Sequence, residues 1–101
     1  MMEVGSYKFH RRAFMALNQL AAEEQAHVLE ALTGLVDAPA AQWPVAQAKR
    51  LPGEPPLYLV RIDDSLRAIV SAPDGQEPEV MDIVRRETLE SFAKVAGNSD
   101  Y

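Results

Sequence analysis

The stretch from Ala48 to Val70 constrains this chain more than any other, because two arginines sit inside what read as two consecutive strands. Leu57, Leu59 and Arg61 alternate with Tyr58, Val60 and Ile62, the period of two that sends successive side chains to opposite sheet faces. Asp63-Asp64-Ser65 is turn chemistry, and Leu66 to Val70 is strand-like again. The length of that turn decides where the arginines go. A two-residue loop, Asp63-Asp64, sets Val60 opposite Arg67 and buries Arg67 among Tyr58, Val60 and Ile62, at a cost of several kcal/mol for an unpaired charge. A three-residue loop, Asp63-Asp64-Ser65, sets Ile62 opposite Leu66 and Arg61 opposite Arg67. Val60, Ile62, Leu66 and Ala68 then form the apolar face and both arginines share the other, so the three-residue loop is expected. Like charges directly opposite on a sheet repel, and this pair therefore calls for an anion. Carboxylates such as Asp64, Asp82 or Glu87 can supply it, and so can a phosphate; spacing leaves both open.

The rest of the chain supplies a scaffold for that hairpin. Residues 6–10 read as a short strand with Tyr7 and Phe9 on one face. From Arg11 the spacing turns helical, with Phe14, Leu17 and Leu20 as a stripe. Ala21-Ala22 marks a break, and Glu23-Glu24 suits the N-terminus of a second helix. That helix carries Ala26, Leu29, Leu32 and Val36 as its apolar positions and stops before Pro39, giving a helical hairpin. Trp43, in the loop that follows, is expected to cover the edge of the core. Residues 48–56 read as a basic and proline-rich loop, and 72–78 as a turn with Asp74-Gly75 at its centre. Residues 79–84 form the next strand, and 87–96 a closing helix with Leu89, Phe92, Ala93 and Val95 apolar, ended by Gly97, after which the chain frays. The order strand, helix, helix, strand, strand, strand, helix predicts an α+β fold, a mostly antiparallel sheet of about four strands with helices on one face.

At 101 residues, 48% of them apolar, the chain is expected to be one domain with its ordered core over about 6–96. Zero cysteines exclude disulfides, thiolate zinc sites and cysteine nucleophiles. No apolar run approaches the roughly 20 residues of a membrane span, and the first residues lack a signal-peptide pattern, so a cytoplasmic location is expected. The net charge of −5 argues against non-specific nucleic-acid binding, yet seven of the ten basic residues follow position 48, which permits a local basic patch on an acidic body. Arg85-Arg86-Glu87 falls where the last strand meets the last helix, a place that suits basic residues only beside an anion. Lys49-Arg50 is a second, weaker basic pair. His10 and His27 lie outside metal-ligand spacing, and His27 reads as a surface residue. Neither a phosphate-binding glycine loop nor a Ser-His-Asp arrangement is present, and no metal or cofactor is expected.

The runs Lys49-Arg50-Leu51-Pro52-Gly53, Leu57 to Ile62, Leu66-Arg67-Ala68-Ile69 and Asp82-Ile83-Val84-Arg85-Arg86-Glu87, behind a helical hairpin from Phe14 to Leu35, resemble the RelE/ParE superfamily of bacterial type II toxins. The resemblance spans roughly residues 6–96 and implies a RelE-like, microbial ribonuclease-type fold. In its RelE branch, which is favoured here, it implies a toxin of a toxin–antitoxin system, a metal-independent endoribonuclease that cleaves mRNA in the ribosomal A site and inhibits translation. The implied catalytic residues are Arg61, Arg67 and Arg86, clamping the scissile phosphate. The implied RNA-binding residues are Lys49, Arg50, Arg85 and Phe92. Leu59 stands where ribonucleases of the family can carry a lysine, and Phe92 stands near the place of a tyrosine that orients the nucleotide. The implied partners are a cognate antitoxin, the ribosome and mRNA. The alternatives are a ParE-like inhibitor of DNA gyrase without enzymatic activity and an inactive toxin-like binding module.

Overall fold

A computed structural model of the chain describes residues 2–4, 7–35, 38–73 and 75–89. Its elements are β1 (Met2–Val4), β2 (Tyr7–Phe9), α1 (Arg11–Gln19), α2 (Ala22–Thr33), a 3-10 turn at Ala40–Gln42, β3 (Ala48–Arg50), β4 (Leu57–Arg61), β5 (Leu66–Ser71) and β6 (Glu79–Arg85). The strands form one six-stranded sheet in the order β1-β2-β6-β5-β4-β3. The architecture is α+β, as the order of elements predicts. The four expected strands make its centre, and two three-residue strands, β1 and β3, extend it at the edges.

All neighbours are antiparallel except β2 and β6, which run parallel, with Phe9 opposite Val80. The parallel pair follows from chain order: β2 is followed by the helical hairpin, which crosses over the sheet before the β3–β6 meander returns. β3 was expected as loop. Ala48 is buried opposite Val60, and that single apolar residue together with ladder bonds to β4 is enough to pull the basic segment onto the sheet edge. Gly53 (φ 102°) then turns the chain back toward β4 in a conformation that L side chains rarely adopt.

The core lies between the sheet and the helices. Phe9, Val28, Leu32, Val60, Leu66, Val70 and Val80 are its largest fully buried side chains. α1 contributes Ala13 and Leu17, with Phe14 and Leu20 packed at the margin. The buried face of α2 is not the expected one: Val28 and Leu32, four residues apart, point inward, whereas Ala26 and Leu29 are exposed. The helix is rotated by about one residue, roughly 100°, from the stripe that Ala26 and Leu29 define. Tyr7 ties β2 to the end of this helix: its buried hydroxyl donates to the Leu32 carbonyl at 2.8 Å. Trp43 is buried as expected, and its Nε1 donates to the carbonyls of Leu35 (2.9 Å) and Ala38 (3.0 Å). The backbone is helical at 86–89, where the closing helix was expected; the remainder of that helix, with Phe92, lies outside the described residues.

Candidate functional site

The hairpin adopts the three-residue turn. Arg61 faces Arg67, Val60 faces Ala68, and the Ile62 amide donates to Leu66 O at 3.1 Å. Val60, Leu66 and Ala68 are buried beneath the helices, so alternation places Arg61 and Arg67 together on the opposite face. β6 continues the same row, with Val84 beside Arg67. One row further along lie Lys49, Leu59, Ile69 and Asp82, each directly across from the next.

Asp63 builds the turn. Its Oδ1 accepts from the amides of Ser65 (2.7 Å) and Leu66 (2.9 Å), the side-chain-to-backbone closure that favours Asp at the head of such loops. Its carbonyl accepts a hydrogen bond from the Arg67 guanidinium, which also donates to Leu66 O at 2.9 Å. Arg61 pairs with Asp64, the next residue of the turn. Arg86 joins the group through the backbone: its amide donates to Ser65 O at 2.9 Å, bringing the exit of β6 against the tip of the hairpin.

The electrostatics show the arginines as one cluster. Partial burial depresses the Arg67 pKa most, the positive charges of Arg61 and Arg86 depress it further, and Asp63 and Asp64 oppose the shift. Arg61, Arg67 and Arg86 thus lie at one end of the sheet, near enough that Arg67 feels both other charges. One carboxylate, Asp64, is bonded to Arg61, and the side chains of that pair are 85% and 54% exposed, so water and salt weaken it. An anion able to accept from two guanidinium groups at once gains more there than an exposed aspartate does. The compensating carboxylate anticipated from sequence is therefore present, in a pair open to water. Asp82 instead accepts from the amide of Ile83 at 2.9 Å.

Of the residues read as RNA-binding, the three described ones, Lys49, Arg50 and Arg85, do not gather at this point. Lys49 lies on the same sheet face as Arg61, across from Leu59. Arg50, one residue on, lies on the opposite face: its guanidinium sits 5.9 Å from the centroid of the Tyr58 ring, bonds Leu51 O and Gly53 O, and approaches Glu54. Arg85 faces α2 and pairs with Glu24 at 3.0 and 3.4 Å. Phe92 is outside the described residues. His27 and Asp63 were not read as site residues, yet His27 Nδ1 donates to Asp63 Oδ2 at 3.0 Å and ties α2 to the turn that holds the arginines. The Asp-x-Ser spacing in the turn was the available signal for Asp63; nothing local to residues 24–30 points to His27.

The fold and the placement of the cluster define a class: a small α+β sheet protein with the RelE-like toxin fold. The particular solved structure to which the chain is similar is the archaeal RelE–RelB complex from Pyrococcus horikoshii OT3. The match has a TM-score of 0.59 at 21% identity and covers 81% of this chain and 97% of that one. No family model matches the sequence, and no curated protein matches it.

Proposed function

We propose that this chain is the toxin of a type II toxin–antitoxin system and acts as a ribosome-dependent mRNA endonuclease. The observation that carries the reading is the convergence of Arg61, Arg67 and Arg86 at one end of a RelE-like sheet, set by the hairpin register and the Arg86–Ser65 bond. In the reaction, the ribose 2′-hydroxyl attacks the adjacent phosphorus and gives its proton to solvent, the bond to the 5′-oxygen breaks, and that oxygen takes a proton from solvent as it leaves. Negative charge accumulates on the non-bridging phosphate oxygens, where arginines held in advance stabilise it most. Lys49, on the same face, reaches toward the flanking RNA. A cognate antitoxin covers the arginines with a helical or extended segment that brings carboxylates of its own.

A second reading is favoured by one observation. Leu59 and Ile69 face one another in the middle of this sheet face, between Lys49 and Asp82, and Leu59 is only 7% exposed. Aliphatic side chains at that point offer a nucleotide neither charge nor hydrogen bonds, which favours the non-enzymatic gyrase-inhibitor reading.

Induced expression separates the two. The nuclease reading predicts arrested translation and A-site cuts by primer extension, both lost in Arg67→Ala and Arg86→Ala proteins that remain folded. Intact mRNA with altered plasmid supercoiling supports the gyrase reading instead. Normal growth with soluble, folded protein overturns both.

A further inference from the structure

Two side chains on one face of α2 hold both chain segments that carry the arginines. Glu24 and His27 are three residues apart, hence neighbours on the helix surface. Glu24 bonds Arg85, the residue before Arg86, and also accepts the Ala21 amide at 3.2 Å. His27 bonds Asp63, whose carboxylate closes the turn and whose carbonyl holds Arg67. The two held segments meet at the Arg86–Ser65 backbone bond. A chain of direct contacts therefore runs from the helical layer through Asp63 to a guanidinium on the far face of the sheet.

We propose that His27 and Asp63 are positioning residues for the arginine site, so that protonation of His27 tightens the turn and fixes Arg67 for an anion. The inference rests on the arginine cluster being the anion site proposed above. An Arg67 side chain anchored on Asp63 O and Leu66 O has little freedom left to lose when a ligand binds. Its anchor is only as firm as the turn, and the turn is only as firm as the Asp63 carboxylate. A protonated imidazole meets the Asp63 carboxylate with a full charge and a neutral one only with a dipole, so the contact is firmer when His27 is protonated. The pair is partly open to water, with side chains 51% and 28% exposed, and it modulates the site rather than switching it off. The other charged groups around the contact are Glu24, with its partner Arg85, and Glu30 on α2, and Asp64 and Arg67 at the hairpin. The carboxylates favour the protonated imidazole and the arginines oppose it.

The test combines NMR on the isotopically labelled full chain with anisotropy of a fluorescent single-stranded RNA, 2′-O-methylated to block cleavage. A phosphodiester keeps its charge from pH 5.5 to 8, so any pH response belongs to the protein. The expected result is that the amides of Ser65 and Leu66 and the Nε–H of Arg67 shift with the same midpoint as the His27 ring. RNA affinity falls about threefold across that midpoint, the scale of an exposed ion pair. Both responses vanish in His27→Gln. Asp63→Asn, which keeps an acceptor for the turn amides, retains more affinity than Asp63→Ala. If the Arg67 signal does not follow His27, or follows the same pH course in His27→Gln, the positioning role is overturned whatever the RNA does. It is likewise overturned if binding requires Arg67 but is independent of pH. If the signals follow His27 while RNA binding is absent or unchanged in Arg67→Ala, the mechanical link stands and the nuclease reading fails.

Discussion

Arg67 is held by two carbonyls and flanked by two further arginines, so its replacement by lysine is not conservative. Both bonds come from Nη1, which leaves Nη2 and Nε of the same planar group as donors to a phosphate, a division of labour that the single nitrogen of an ammonium group cannot reproduce. Arg67→Lys is expected to fold normally by circular dichroism and yet to cut A-site mRNA about a hundredfold more slowly, the scale of losing one aligned donor to developing charge. Tyr7 provides a test with no bearing on catalysis. Burial pushes its pKa from 10.0 up to about 12, so the folded state prefers the neutral phenol. The stability it contributes is complete below pH 10 and is lost as the pH climbs from there through about 12. Tyr7→Phe leaves the Leu32 carbonyl without its donor and is expected to cost about 1 kcal/mol, read as a drop in Tm of about 5 °C at neutral pH. An unchanged Tm would show that the Tyr7–Leu32 bond adds nothing measurable to stability.

Among the elements, the β4–β5 hairpin was the most legible in sequence and α2 the least. The hairpin's register follows from one physical comparison, burying a lone arginine against pairing two on the open side, and Arg61 does stand opposite Arg67. In α2, Ala26, Leu29 and Leu32 have the right spacing for a buried stripe, but Val28 and Leu32 do as well. Nothing local separates them, because Leu32 belongs to both and the core that Val28 joins is built from strands distant in sequence. The same long-range reason hid the Glu24–Arg85 and His27–Asp63 contacts, which join residues 61 and 36 positions apart. These contacts also set the acid limb of stability. The Arg85 and Ala21 hydrogen bonds hold Glu24 below its ordinary 4.5. Burial pushes Asp63 upward, but the bonds from Ser65, His27 and Leu66 outweigh it and leave Asp63 below 3.8. Both contributions are present above the ordinary carboxylate values and are lost as pH falls through the lowered ones. Thermal unfolding between pH 6 and 2.5 is expected to show a shallower acid decline in Glu24→Gln than in the parent protein.

For the molecule as a whole, the fold divides labour between two faces of one sheet. The helical layer buries the apolar side of every central strand, and the opposite side carries the arginines. This arrangement reconciles a net charge of −5 with a basic site, because most of the acids are spread over the rest of the molecule while Arg61, Arg67 and Arg86 lie together at one end of the sheet. The likeness to the archaeal RelE–RelB complex agrees with that layout at the level of the fold. The central claim is that the convergence of Arg61, Arg67 and Arg86 makes this sheet face an mRNA-cleaving surface. Its most direct test is to add the purified chain to ribosomes programmed with a defined mRNA and to map the ends by primer extension, with and without a metal chelator. The account predicts a cut within the A-site codon that persists in chelator, leaves a 2′,3′-cyclic phosphate, and disappears in Arg67→Ala and Arg86→Ala. Uncut mRNA in the presence of folded chain bound to the ribosome would contradict it.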